Sequence, residues 1–227
     1  MLKTLTLSIG ALALITGCSL ASDAAQKASD TTSQAASAVA QKAKEVVPGA
    51  NIGDAPAGVY KSEATHAYIT FQYLHQGYAR PTLRWNDFDA TIDLNPSSPT
   101  ASTLSVTIDA ASIDSGVEKF DDHLVTADFF DVENHPEITF VSTKLSQGIT
   151  GRGKLTGDLT MKGITKPVTL DVVLNKVGQH FRSKKPVFGI SATGNIKRSD
   201  WDLGLYTPHV GDDVDITIEI EFVKEGE

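Results

Sequence analysis

From Gly58 onward, apolar and polar residues alternate with a period of two, the signature of strands buried on one face. Ile69, Phe71 and Tyr73 alternate with Thr70 and Gln72, and Phe88, Ala90, Ile92 and Leu94 with Asp89, Thr91 and Asp93. Leu104, Val106 and Ile108 are interleaved with Ser105, Thr107 and Asp109. Ile138 and Phe140 bracket Thr139, while Leu155, Leu159 and Met161 share a parity. The last run is the most regular, with Val214, Ile216, Ile218, Ile220 and Phe222 on one side and Asp213, Asp215, Thr217, Glu219 and Glu221 on the other. Adding the runs Val168–Leu174 and Phe188–Ile196 gives seven or eight strands. Asn95-Pro96-Ser97-Ser98-Pro99 and Lys162-Gly163 are turn chemistry, which favours antiparallel neighbours over crossover helices. The alternation breaks between Ser115 and Phe130, where Phe120, Leu124 and Val125 fall at helical spacing, so a short helix or capping loop is expected there.

A long antiparallel sheet carries two exposed edges, and closing it into a barrel removes both. The expected fold is therefore all-β. An eight-stranded barrel has room for packed side chains or for one small ligand. The aromatics Phe71, Tyr73, Phe88, Phe140, Phe188 and Phe222 sit at strand parity and fit either a filled core or a ligand cage.

The first sixty residues follow a different logic. Met1-Leu2-Lys3 precedes an apolar run from Leu5 to Ile15 and the small residues Thr16-Gly17 before Cys18, which reads as a signal peptide over residues 1–17. Its apolar run is well short of the roughly 20 residues that span a bilayer. Ile15-Thr16-Gly17-Cys18 resembles a bacterial lipobox, which would make Cys18, the one cysteine of the chain, a lipidated first residue. Several acyl chains would hold such a protein durably to a membrane. Ser19 stands where an Asp would signal inner-membrane retention, so the expected location is the periplasm, on the inner leaflet of the outer membrane. Residues 18–57 are rich in Ala, Ser, Gln, Thr and Lys and poor in large apolar side chains, the composition of a tether. Its Ala-rich part, Asp23 to Val47, suits a frayed helix. Residues 58–227 are left as the folded domain.

Charge and motifs narrow the function. With 20 Lys+Arg against 28 Asp+Glu, the net charge of −8 argues against nucleic acid. A single cysteine excludes an intrachain disulfide, a thiolate zinc cluster and a C-x-x-C pair. Gly148 to Lys154 has the spacing of a phosphate-binding loop, but Leu155 follows where Ser or Thr is needed, and the segment alternates like a strand. Neither a G-x-S-x-G elbow nor an H-E-x-x-H pair occurs. Of the six histidines, His66 and His75 share a probable strand but lie an odd number of residues apart, on opposite faces, so no metal site is expected. Asp121-Asp122-His123 reads more simply as turn capping than as an acid-base pair.

A series of motifs now points to one family. His66-Ala67-Tyr68-Ile69-Thr70-Phe71-Gln72-Tyr73-Leu74-His75-Gln76-Gly77 resembles the opening signature of the YceI family of exported lipid-binding proteins. Asn86 to Ile92, His123-Leu124-Val125-Thr126-Ala127-Asp128-Phe129-Phe130-Asp131 and His135-Pro136-Glu137-Ile138-Thr139-Phe140 are similar to its next segments. Gly157-Asp158-Leu159-Thr160-Met161-Lys162-Gly163-Ile164-Thr165-Lys166-Pro167-Val168 resembles its most recognisable stretch, followed by Ile196 to Trp201 and Val210 to Val214. The resemblance implies an antiparallel eight-stranded lipocalin-like barrel with a short helix covering one mouth. It further implies an elongated apolar tunnel for a polyisoprenoid such as an isoprenoid quinone or a prenyl diphosphate, held without a cofactor. Tyr73 and Trp85 depart from the usual smaller aliphatic and Phe, and both bear on the tunnel's bore.

By parity the tunnel wall is expected to include Ile69, Phe71, Tyr73, Phe88, Ile92, Val106, Ile108, Phe140, Leu159, Met161, Leu170, Val172, Ile190 and Ile218. His75, at a strand end, is either a headgroup contact or an ordinary turn residue. Arg80, Arg84 and Arg198 are further headgroup candidates. The expected function is a lipid-anchored carrier, not an enzyme, with a homodimer left open. Its competitors are a stress-linked envelope protein with a filled barrel, and an enzyme using His75 or His123 with Asp121 or Asp122.

Overall fold

The computed structural model describes residues 50–147 and 151–226. The expected signal peptide, Cys18, the Ala-rich helix and the start of the Gly148–Lys154 loop lie outside the described residues.

Ten antiparallel strands follow in chain order: β1 (Gly58–His75), β2 (Thr82–Trp85), β3 (Phe88–Leu94), β4 (Thr103–Asp109) and β5 (Ile113–Asp114), then β6 (Glu137–Gln147), β7 (Arg152–Met161), β8 (Ile164–Gln179), β9 (Pro186–Lys197) and β10 (Val210–Lys224). Eight of them form a closed ring, β1-β3-β4-β6-β7-β8-β9-β10, sealed by pairing of β10 with β1. The two-residue rhythm thus closes on itself as expected. The short strands β2 and β5, which the alternation did not announce, extend the sheet along the second half of β1.

Closure depends on β1 being unusually long. Its first residues pair with β3, Gly58 to Lys61 against Leu94 to Thr91, and its later residues with β2, Ile69 to Gln72 against Trp85 to Thr82. Its other edge runs along β10, with Ile69 opposite Ile218, Phe71 opposite Ile216 and Tyr73 opposite Val214. Directly opposed residues share a face, so these pairs line one inner surface. The β1–β10 register slips between Ser62 and Ala67, a bulge where Glu63 accepts hydrogen bonds from Thr65 (2.6 Å) and His66 (2.7 Å). That bulge turns His66 out to solvent.

Strands β7 and β8 join through Lys162-Gly163, at φ +48° and +71°, the left-handed pair required by a two-residue hairpin that matches strand twist. On the outer face, Thr156 with Thr169 and Thr160 with Thr165 form 2.8 Å hydrogen bonds across strands, and Lys154 pairs with Asp171 at 2.6 Å. Such exposed pairs set register and solubility more than stability.

The break in alternation becomes the helix α1 (Glu118–Leu124), and it packs at the end of the barrel where β1 finishes and β10 begins. Its lead-in is organised by carboxylates: Asp114 accepts from the Gly116 N–H (2.8 Å) and Asp121 from the Ser115 N–H (2.8 Å). The other end is closed by aromatic rings. Phe188 lies 4.9 Å from Tyr60 and 5.4 Å from Phe222, centroid to centroid, and neither Tyr60 nor Phe222 is exposed at all. Among the described residues no helix is long and apolar enough to cross a membrane.

Candidate functional site

The interior of the ring is hollow: an apolar cavity of about 570 Å³ runs through it. Ile69, Phe71 and Tyr73 from β1, Leu83 and Trp85 from β2, Val106 and Ile108 from β4, and Phe140 from β6 form one side. Leu159 and Met161 from β7, Leu170 and Val172 from β8, Ile190 from β9 and Ile218 from β10 form the other. Each lies at the strand parity that points inward, because the opposite parity carries the Asp, Thr and Lys residues of the solvent face.

At the α1 end, Phe120, His123 and Leu124 meet the cavity from one helix face, as i, i+3, i+4 spacing allows. Phe129 and Phe130 follow. Leu203, Leu205 and Tyr206, from the connection between β9 and β10, complete this cover together with Ala79 and Pro81 after β1. Trp85 is held there by rings, 4.7 Å from Phe71 and 5.7 Å from Phe130.

The polar groups of the cavity gather at the same end: Tyr73, His75, His123, Arg198 and Tyr206, with the Trp85 indole N–H buried among them. Arg198 is buried, and its guanidinium donates to three carbonyls, from Nε to Gly211 (2.8 Å), from Nη2 to Val210 (2.9 Å) and from Nη1 to Leu203. A guanidinium carries five N–H groups, so these three bonds leave two of its donors over. Burial pushes the Arg198 pKa down, with Asp212 and Tyr73 acting in the opposite sense. Burial likewise pushes the half-buried Tyr73 phenol up, and the Arg198 charge pulls it part of the way back. Asp212, which would be the natural partner of Arg198, instead accepts from the Ser199 N–H (2.9 Å) and hydroxyl (2.8 Å). Beneath it, the Trp201 indole N–H donates to the Leu159 carbonyl at 3.1 Å.

Of the residues expected in the wall, all but Phe88 and Ile92 line this cavity. Phe88 points inward opposite Ile108 but is packed into the core clusters above and below it, so its ring is consumed by side-chain contact. Ile92 lies lower, in a separate cavity at the far end of the barrel. Of the headgroup candidates, His75 and Arg198 reach the cavity; Arg80 and Arg84 do not. Arg80 sits on the outer surface, 2.9 Å from Asp215. Arg84 falls between the inward residues Leu83 and Trp85, so its parity sends it outward, where it lies 5.4 Å from the Tyr68 ring centre. The suspected acid-base group is not assembled either. Asp121 is engaged by the Ser115 N–H, and His123 approaches Asp128 at 3.6 Å and stacks edge-on against Phe129. Among the described residues no cluster of three or more His, Cys, Asp or Glu is placed to hold a metal ion.

Sequence reasoning missed the wall residues that lie in connections, Leu203, Leu205, Tyr206 and Phe129, since connections have no period to read. It also missed two recesses. A Cβ on Gly157 would fall 2.2 Å from the Phe140 ring, and one on Gly194 would fall 2.5 Å from Leu170, so both wall side chains lie directly on bare backbone.

A closed eight-stranded antiparallel barrel around an apolar hollow, covered at one end by a short helix, belongs to the class of small ligand-enclosing barrels. The YceI-like domain profile matches residues 60–222. The chain is 35% identical over 182 residues to the UPF0312 protein ECA1782 of Pectobacterium atrosepticum, covering 78% of this chain and 92% of that one. With Protein YceI of Escherichia coli O157:H7 it shares 34% identity over 175 residues, 76% of this chain and 91% of that one. This chain belongs to the YceI family.

Solved structures agree. BcnA of Burkholderia cenocepacia superposes with a TM-score of 0.62 at 25% identity, covering 70% of this chain and 98% of that one. The Campylobacter jejuni YCEI protein gives 0.60 at 32% identity, over 65% and 87%. A Saccharophagus degradans domain described as polyisoprenoid binding has the same fold, with a TM-score of 0.56 at 14% identity, covering 75% of this chain and 100% of that one.

Proposed function

We propose that this protein is a lipid-anchored periplasmic carrier that holds a polyisoprenoid lipid, such as an isoprenoid quinone or a prenyl diphosphate, inside its barrel. The observation that carries the reading is the apolar cavity of about 570 Å³. A cavity of about 150 Å³ lined by aliphatic and aromatic side chains accepts a benzene-sized guest, so this one accommodates about four five- or six-carbon segments. The polyisoprenoid-binding description of the Saccharophagus degradans domain, which shares the fold, supports the same ligand class. With its polar groups confined to the α1 end, the cavity favours a headgroup near Tyr73, His75, His123 and Arg198 and a chain directed away from them. Each buried CH₂ contributes about 0.8 kcal/mol, so a prenyl tail needs no chemistry to be retained.

Mass analysis of an organic extract of freshly purified protein tests the ligand: a co-purifying prenyl lipid is expected. A consistently empty or lipid-free barrel would sink the carrier and favour the structural reading. The anchor is tested separately. Cys18→Ser should move the protein from the membrane to the soluble periplasmic fraction and abolish labelling by a radioactive fatty acid, and unchanged fractionation would remove the anchor from the proposal.

A further inference from the structure

From Val172 to Ser199 the chain has no Asp or Glu, although carboxylates outnumber Lys and Arg by 28 to 20 overall. This stretch contains the β8–β9 hairpin, whose turn begins two residues beyond the level of Phe188 and so projects from the end of the barrel opposite α1. Arg182, Lys184 and Lys185 stand in the turn and Lys176 on the strand leading to it. Lys197 pairs with Asp213 (3.1 Å) and Arg198 is buried, but those four have no carboxylate partner among the described residues. Phe181 lies in the same turn, 73% exposed, with the Arg182 guanidinium 5.4 Å from its ring centre. The tip is ordered by its own hydrogen bonds, from the His180 N–H to the Lys185 carbonyl (2.9 Å), the Lys184 N–H to the His180 carbonyl (2.9 Å) and the Ser183 N–H to His180 Nδ1 (3.1 Å). Behind it a groove of about 580 Å³ contains Lys185 and Lys224. Its two carboxylates are already engaged, Glu225 by Lys61 (2.9 Å) and Glu63 by Thr65 and His66.

We propose that the β8–β9 hairpin docks on an anionic lipid surface, with Phe181 seated among the headgroups and Arg182, Lys184 and Lys185 against their phosphates. A soluble polyanion would satisfy these cations but not the ring, and an apolar protein surface the ring but not the cations; an anionic bilayer interface satisfies both. Because the tip is already ordered, little conformational freedom is lost on docking. Charge also selects this end of the barrel. Around α1 stand Glu118, Asp121, Asp122, Asp128, Asp131 and Glu133 against the single Lys119, a face that anionic lipid repels. Residues 50–57, which join β1 to the chain before it, meet the barrel at the hairpin end, where Ala55 packs in the cluster of Tyr60, Phe188 and Phe222. The inference rests on the membrane location in the reading above, but on neither the acyl anchor nor the guest.

The test is co-sedimentation of the full chain carrying Cys18→Ser, recovered from the soluble fraction so that no acyl chain contributes. Its vesicles are phosphatidylcholine alone, or about three parts phosphatidylcholine to about one part phosphatidylglycerol. Binding is expected only to the anionic vesicles and should fade as salt rises from about 0.05 M to about 0.5 M. Each cation near the surface is worth roughly fivefold, so Arg182→Gln, Lys184→Gln and Lys185→Gln together should weaken binding roughly a hundredfold. Phe181→Ser should weaken it about tenfold. None of the substituted side chains takes part in the hydrogen bonds that order the tip, and circular dichroism checks the fold. A second readout is Phe181→Trp, whose emission should move to the blue on anionic vesicles, since Trp85 and Trp201 are both buried beforehand. Equal binding to both vesicles, a triple charge variant that binds like its parent, or an unmoved Phe181→Trp emission would overturn the docking role. Binding to soluble polyphosphate as tight as to vesicles, with Phe181→Ser without effect, would overturn it in favour of a polyanion site. Failure of the acyl anchor shows instead in the fractionation of Cys18→Ser, and absence of vesicle binding leaves that anchor standing.

Discussion

Gly157→Ala is the smallest change that should alter what the tunnel accepts. The added methyl would sit 2.2, 2.6 and 2.7 Å from three carbons of the Phe140 ring, where contact distances of about 3.5–4.0 Å are required. The ring must retreat by about 1.5 Å. Strand β7 lies beneath it and the ring already lines the cavity, so the open direction is into the tunnel. Overpacking a tight core costs about 1–3 kcal/mol, and a ring that can swing into empty space belongs at the low end of that range. For a domain of this size a melting temperature lower by about 2–6 °C follows. The larger effect falls on the guest. At most one isoprene segment loses its seat, worth up to ~4 kcal/mol at ~0.8 kcal/mol per carbon, so long prenyl chains should weaken between about tenfold and about a thousandfold. Titration followed by Trp85 fluorescence measures this. The double variant Gly157→Ala with Phe140→Leu should recover most of the loss, since the two positions act through one contact. Wild-type affinity at every chain length in Gly157→Ala, or a loss that Phe140→Leu leaves untouched, would refute the assignment of Phe140 as a movable wall.

Other expectations concern the cover of the tunnel. Arg198→Met leaves the carbonyls of Leu203, Val210 and Gly211 without their donor, and stability should fall by about 2–4 kcal/mol in denaturant titration. Arg198→Lys, which cannot reach three carbonyls with a planar fork, should recover only part of it. Asp114 is held below the ordinary carboxylate range by the Asn86 side-chain hydrogen bond and by the Gly116 N–H. A depressed carboxylate stabilises the folded state above its unfolded pKa, so this contribution is present at neutral pH and lost as pH falls below about 4. Amide exchange in the Ser115–Val117 lead-in to α1 should therefore quicken in acid relative to the β1–β10 seam, and Asp114→Asn should flatten that difference. Trp201→Phe, which removes the indole N–H donated to the Leu159 carbonyl, should cost about 1–2 kcal/mol in a thermal melt.

Much of the barrel was readable because a strand has only two faces. Ile69, Phe71 and Tyr73 share a parity, their β10 partners share another, and once the ring closes both sets must face inward. The same rule would have removed Arg84, flanked by the inward Leu83 and Trp85, had β2 been recognised; at four residues it was too short to show a rhythm. Phe88 illustrates a different gap. Parity says which way a side chain points, but whether it meets a neighbour or a void depends on the bulk arriving from across the barrel. Gly157 and Gly194 escaped for a third reason: a wall inferred from apolar side chains does not register the places where a side chain is missing. The covering residues Leu203, Leu205 and Tyr206 lie in an irregular connection, where only the folded chain brings them over the opening.

The joint between β1 and β10 ties together the two ends of the domain, with Tyr60 opposite Lys224. Contacts so distant along the chain form late, because the entropy of closing the intervening loop is lost before any of them can compensate. The domain therefore cannot shut its ring until its final strand has arrived. Removing that strand would leave two bare edges and an oily lining open to water, a template for self-association instead of a smaller working barrel.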